Sequence, residues 1–196
     1  MKTHIHPSLR ITGICLVMAS PSCTTYDPQP DRPVNWAQAL EVEGVPNLHK
    51  VSDRLYRSAQ PTNEGIRNLE ELGITTVVSL RYFSDTDETA GTAVESIRLP
   101  TLTWAPTDEH ANSFLEYLSS QEDKTILVHC MHGADRTGAM CAIYRIKLER
   151  WEPDEAIREM RHGGFGAHRI WINLAPWVRK ITNPDPMDQQ ARTSPE

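Results

Sequence analysis

Apolar positions in this chain follow two rhythms, and the change from one to the other marks out its elements. "DRLYRSAQP" reads as a short strand and a turn, whereas "TNEGIRNLEELG" places Ile66, Leu69 and Leu72 at helical spacing. Thr62 or Asn63 caps that helix and Gly73 stops it. The β-branched run "ITTVVSL" has the length and composition of a strand buried on both faces, and "VESIRLP" is a further strand. Ala111, Phe114, Leu115 and Leu118 form one helical face, and "TILVHC" returns to strand. "TGAMCAIYRIKLER" is apolar enough around its circumference to lie behind a sheet. "PDEAIREMRHGG" opens with Pro153 in a helix first turn and stops at Gly163; Trp171, Leu174, Val178 and Ile181 predict a last helix, kinked or begun at Pro176. Strand and helix in alternation imply an α/β fold with a mainly parallel central sheet flanked by helices. Ligands are then expected beyond the carboxyl ends of its strands.

The amino-terminal pattern differs. Ile11 to Ala19 is the longest apolar stretch and is too short to span a bilayer, but Lys2 and Arg10 precede it and Ser20 and Ser22 follow. That order is the one found in secretory signals, so residues 1–22 read as a signal peptide and the chain as exported, with a bacterial periplasmic or membrane-anchored location. "MASPSC" resembles a lipobox, which would make Cys23 a lipid anchor to the membrane; Ser20 and Pro21 depart from the usual pattern, so plain secretion stays open, as does a disordered amino terminus on a cytoplasmic protein. Residues 23–49 then read as a Pro-rich tether and extension, residues 50–182 as the domain, and residues 183–196 as a disordered tail. If Cys15 leaves with the signal and Cys23 is lipidated, Cys130 and Cys141 remain, too few for a disulfide framework. A formal charge of -6 on 196 residues gives no basis for nucleic-acid binding, so a phosphate-bearing partner would have to be met by a local pocket.

Such a pocket is encoded in "HCMHGADRTG", His129 to Gly138, at the end of a predicted strand. A tight bend at Gly133 can turn the amides of Met131, His132, Gly133, Ala134, Asp135 and Arg136 inward as a nest, and a helix beginning near Thr137 adds its positive end. The same cradle stabilises a thiolate at Cys130. Arg136 supplies two parallel donors to phosphate oxygens and stays charged at any working pH. His129, Cys130 and His132 could ligate a metal, but no distant Cys/His pair at the usual spacing completes a site. A nucleotide loop is excluded by the missing lysine, while a phosphate-binding module without turnover stays open.

The decapeptide matches the Cys-x5-Arg-Ser/Thr-Gly signature, and the chain resembles the cysteine-based protein tyrosine phosphatases of dual-specificity type, in particular exported bacterial ones. The likeness runs from "LYRSAQP" through "VVSL" and the signature to "YRIKLERWEPDEAIREMRHGGFG". It implies a phosphatase that needs no cofactor and no metal, acting on phosphotyrosine, with phosphoserine and phosphothreonine left open as further substrates. Cys130 would form a thiophosphate intermediate, the loop amides and Arg136 would stabilise the transferring group, and Thr137 would hydrogen-bond the sulfur.

The general acid is where this sequence departs from the family. The family's aspartate lies on the loop corresponding to "PTLTWAPTDEH", whose middle, Thr103, Trp104 and Ala105, has no carboxylate. Asp108 is the nearest candidate, though an aspartate just before Ala111 and Phe114 also reads as a helix cap. Asp135, next to Arg136, is the other; a role in holding Arg136 or the following helix is its alternative. Asp85 and Asp87 read as solvated loop residues. Trp104 and Tyr82 are candidates to wall a pocket for an aromatic ring, and Arg161, His162, His168 and Arg169 for a basic rim. Lysines that would favour polyphosphoinositides are missing from the signature, yet an inositol-phosphate phosphatase using Asp135 remains the alternative substrate reading.

Overall fold

Buried β-branched strands need cover on both faces, and this chain provides it with helices. The structure is a computed structural model that describes residues 24–82 and 89–182. In chain order the elements are β1 (Gln38–Ala39), β2 (His49–Lys50), β3 (Leu55–Ser58), α1 (Asn63–Glu71), β4 (Thr76–Ser79), β5 (Glu95–Arg98), α2 (Asp108–Ser120), β6 (Ile126–His129), α3 (Asp135–Lys147), α4 (Pro153–His162) and α5 (Leu174–Thr182). The strands form one sheet in the order β1-β2-β3-β6-β4-β5. β3, β6, β4 and β5 are parallel, and β1 and β2 extend one edge antiparallel. Val77, Val78, Leu127 and Val128 are fully buried, each stabilising the fold by about 1.5–3 kcal/mol relative to exposure.

Register fixes where the chemistry emerges. His129 lies level with Ser58 on one side and Ser79 on the other, so Cys130 leaves the sheet between two parallel neighbours, at its carboxyl edge. α3 then runs back behind the sheet, buried on almost every face from Asp135 to Ile146. It packs chiefly on α4 and α5.

Local signals explain the helix starts, with three shifts from the sequence reading. Thr62 caps α1 by accepting from the amide of Gly65, as expected. α2 is capped by Thr107, whose hydroxyl accepts from the His110 amide while the His110 ring accepts from the Thr107 amide. Asp108 is therefore the first helical residue and not the cap. α3 begins at Asp135, two residues before the expected Thr137, because the loop closes directly into helix. α5 begins at Leu174, which puts Pro176 in its first turn, where a missing N–H costs nothing.

The segment read as a tether lies along the domain. Thr25 bridges His168, the Tyr26 amide donates to Ala167 O (2.8 Å), the Arg169 amide donates to Thr24 O (2.9 Å), and the Gln29 amide reaches His162 O (2.8 Å). The expectations for the signal peptide, Cys23, Asp85, Asp87 and the carboxyl tail fall outside the described residues. Among the described residues no helix is long and apolar enough to cross a membrane.

Candidate active site

The loop after β6 is shaped by what its carbonyls bind. The Gln60 amide donates to Met131 O (3.3 Å), Asn47 Nδ2 donates to His132 O (2.9 Å), and Arg57 Nη2 donates to Gly133 O (2.7 Å) and Ala134 O (3.4 Å). Four successive carbonyls are thus drawn outward by surrounding donors, which turns the opposite edges of the peptide planes, their N–H groups, toward the loop's interior. The bend needs Gly133: its φ is +66°, and a Cβ there would sit 2.4 Å from the carbonyl carbon and oxygen of Ser58. Cys130 is buried at the base of the loop, and the His129 ring meets its carbonyl through Nδ1 (3.3 Å).

Arg136 stands at the first turn of α3. Its Nη1 donates to Leu80 O (3.0 Å) and Thr101 O (3.5 Å), which pins the guanidinium to the ends of two neighbouring segments and leaves the Nε–Nη2 edge for a phosphate fork. Thr137 Oγ1 is fully buried. A cavity of about 300 Å³ opens here, lined by Thr103, Cys130, Met131, His132, Asp135, Arg136, His168, Ile170 and Trp171. A larger cleft of about 430 Å³ lies at the opposite, amino ends of the strands, between Ser52–Leu55 and Tyr144, and holds none of the candidate residues.

The two candidate carboxylates part company in space. Asp135 lines the cavity, and both its oxygens are occupied by one residue: Oδ1 accepts from the His168 amide (2.8 Å), and Oδ2 lies 2.7 Å from His168 Nδ1. Asp108 sits half-buried at the start of α2 and does not line the cavity. Trp104 and Tyr82 are largely exposed and do not line it either; Ile170 and Trp171 supply the apolar wall instead. Of the expected basic rim, His168 alone reaches the cavity. Arg161 and Arg169 lie over the Tyr26 ring, with His162 edge-on to it, so they hold the amino-terminal segment.

Several residues that build the site carry no motif. Arg57 is fully buried, with its guanidinium 3.6 Å from the centre of the Phe165 ring; burial pushes its pKa down, while the nearby Cys141, Glu159 and Cys130 oppose this. Asn47, in left-handed backbone at φ 57°, ties the signature loop to Phe165 O (3.0 Å). Burial pushes the Cys141 thiol up to about 11, so it remains protonated core. The signal that could have exposed Arg57 was "LYRSAQP", where an arginine falls inside a short predicted strand. Among the described residues no group of three or more His, Cys, Asp or Glu side chains is placed to hold a metal ion.

A cysteine at the carboxyl edge of a parallel sheet, within a nest closed by an arginine, defines the class of cysteine-based phosphatases. Comparison with known proteins agrees: residues 30–170 match the family described as DSP-PTPase phosphatase fused to NAD+ kinase, and the chain belongs to this dual-specificity branch of the protein tyrosine phosphatases. It is similar to the dual specificity protein phosphatase TpbA of Pseudomonas aeruginosa strain PAO1, 39% identical over 145 residues, which is 74% of this chain and 66% of TpbA, just under two thirds of that protein's length. The crystal structure of a Cys-to-Ser variant of P. aeruginosa TpbA in complex with pTyr superposes with a TM-score of 0.70 at 32% identity, covering 83% of this chain and 99% of that one. The catalytic core of the PP-IP phosphatase SIW14 from S. cerevisiae shares the fold, with a TM-score of 0.64 at 21% identity over 78% of this chain and 94% of that one.

Proposed function

We propose that this protein is a metal-independent phosphatase of phosphotyrosine, with Cys130 as nucleophile. The observation that carries the reading is the outward capture of the Met131–Ala134 carbonyls around Cys130, with Arg136 pinned beside it. The amides of the loop and the Arg136 fork bind three phosphate oxygens, and they gain most as charge spreads over those oxygens in the transition state. Cys130 Sγ attacks phosphorus, the bond to the leaving oxygen breaks, and water then cleaves the thiophosphate. Thr137 stabilises the departing sulfur in that second step.

The wall of the cavity favours a single phosphate on an aromatic group over a polyphosphate. Arg136 is its sole Lys or Arg among the described residues, and Met131, Ile170 and Trp171 offer apolar surface to a ring. The complex of TpbA with pTyr supports the same substrate class. Of the two carboxylates, the proton path belongs with Asp135, which lines the cavity, and not with Asp108, which does not. Export directed by residues 1–22, with Cys23 as a lipid anchor, completes the proposal. Palmitate labelling of the full chain that is lost in Cys23→Ser is expected; labelling of neither form would leave plain secretion.

The deciding experiment measures phosphate release from a phosphotyrosine peptide in EDTA. The full chain should turn over and be inhibited by vanadate, Cys130→Ser should bind without turnover, and Asp108→Asn should keep its rate within about twofold. Peptide binding by the unsubstituted chain with no release would make the domain a phosphate reader and sink the enzyme assignment.

A further inference from the structure

The loop that carries the acid in related phosphatases has no carboxylate at its middle here, so the proton for the leaving oxygen must come from elsewhere. We infer that His168 is the proton donor of this active site and Asp135 the residue that positions it, an assignment that rests on Cys130 being the nucleophile.

The geometry singles out His168 among the residues lining the cavity. It lines the same cavity as Cys130 and Arg136, with 23% of its side chain exposed. Its Nδ1 is 2.7 Å from Asp135 Oδ2 and its own amide donates to Asp135 Oδ1, so one carboxylate grips both the ring and the backbone of one residue. Nε2 makes no hydrogen bond among the described residues and is the ring atom left for a ligand. An imidazole so held has one nitrogen committed to a carboxylate and the other free to exchange a proton, the arrangement that a general acid and base requires. Asp135 is poorly placed to act alone, because both its oxygens already face His168.

The backbone around His168 is immobilised as well. Thr25 bridges it, and its neighbours Ala167 and Arg169 exchange hydrogen bonds with Tyr26 and Thr24. Arg169 adds a side-chain bond to Thr25 O (3.0 Å). A proton donor must be held within a fraction of an ångström to be useful, and this clamp from the amino-terminal segment gives that segment a role in the site.

The steps balance. As Cys130 Sγ bonds to phosphorus and the P–O bond breaks, the proton on His168 Nε2 passes to the leaving phenolate oxygen, giving a neutral phenol and a neutral ring paired with Asp135. Water then attacks phosphorus and gives a proton to Nε2 as the S–P bond breaks. The products are inorganic phosphate, the Cys130 thiolate and the imidazolium at His168.

The test compares two leaving groups in the full chain. Phosphotyrosine releases a phenol with a pKa of about 10, which needs the proton; p-nitrophenyl phosphate releases a stabilised phenolate, which does not. His168→Asn is the informative variant, since its amide nitrogen takes the place of Nδ1 beside Asp135 while nothing replaces Nε2. It should lower kcat for phosphotyrosine by about 10²–10³-fold and for p-nitrophenyl phosphate by less than about tenfold. Equal losses on both substrates, as a merely structural role would cause, overturn the assignment, and so does an unchanged rate on phosphotyrosine. A second measurement avoids the variant: ¹⁵N NMR of the His168 ring in the unsubstituted chain at its pH of maximal rate should show a proton on Nε2, and a bare Nε2 there overturns the proposal. Turnover that survives Cys130→Ser is a different failure, because it removes the nucleophile and this inference with it.

Discussion

Gly133 shows how much a single position can decide. Its positive φ and its contact with the Ser58 carbonyl allow the loop to close onto the end of β3, and both constraints act on backbone, which cannot swing aside. Gly133→Ala should therefore cost about 1–3 kcal/mol of stability from the left-handed conformation, with more from the clash. Vanadate affinity, read by calorimetry, should fall at least about tenfold as the amides lose their alignment. An unchanged affinity would mean that the cradle tolerates a different path. At this scale the sequence was most legible: Cys130, Gly133, Arg136 and Thr137 stand ten residues or fewer apart, and short spacing within one turn leaves little freedom in how they meet. Asp135 was legible as a candidate but not as a partner of His168, because the two are separated by 33 positions that only folding brings together.

Elements are joined here by a buried ionic pair. Arg145 of α3 donates through Nε and Nη2 to both oxygens of Glu159 of α4 (3.0 Å each), and Glu159 also accepts from the Ala37 amide (2.6 Å). The second guanidinium edge reaches Glu149 (2.6 Å), and the cation lies 4.1 Å from the Trp151 ring centre. Such a pair owes its importance to the penalty for breaking it, since the remaining charge stays buried. Glu159→Gln should destabilise the fold by roughly 3 kcal/mol, at the low end for a broken buried pair because Glu149 still serves Arg145. A guanidinium midpoint that does not move would show that the pair is replaceable. That α3 and α4 are helices was legible in the sequence, but their ionic pairing was not, because hydrophobic spacing does not report which polar residue a neighbouring helix will cover.

Across the whole molecule, acid sensitivity is written into His49 on β2. Burial, with Arg57 and Arg32 nearby, pulls its pKa from 6.5 down to about 4, against the opposing pull of its bond to Asn47 O. Its ring packs edge-on against Phe165, at 4.7 Å, beneath the same arginine that shapes the signature loop. The folded state resists a proton that the unfolded chain accepts, so this contribution is fully present above pH 6.5 and is lost as pH falls toward 4. The loss is up to about 3 kcal/mol. Urea midpoints at pH 7 and pH 4.5 should differ in that direction, and His49→Leu should flatten the difference; an equal pH slope in the variant would move the cause to another group.

What the chain determined on its own was the alternation of buried strands and amphipathic helices and the reactive decapeptide at a strand end, because both are local patterns read within one element or one turn. Tertiary structure alone decided that Arg57 and Asn47 draw the loop carbonyls outward, that residues 24–26 lie against the loop holding His168, and that Asp135 faces an imidazole while Asp108 stands outside the cavity. The physical reason is that hydrogen-bond partners distant in sequence are selected by sheet register and helix packing. One residue's shift in register would have put a different side chain beside each of them.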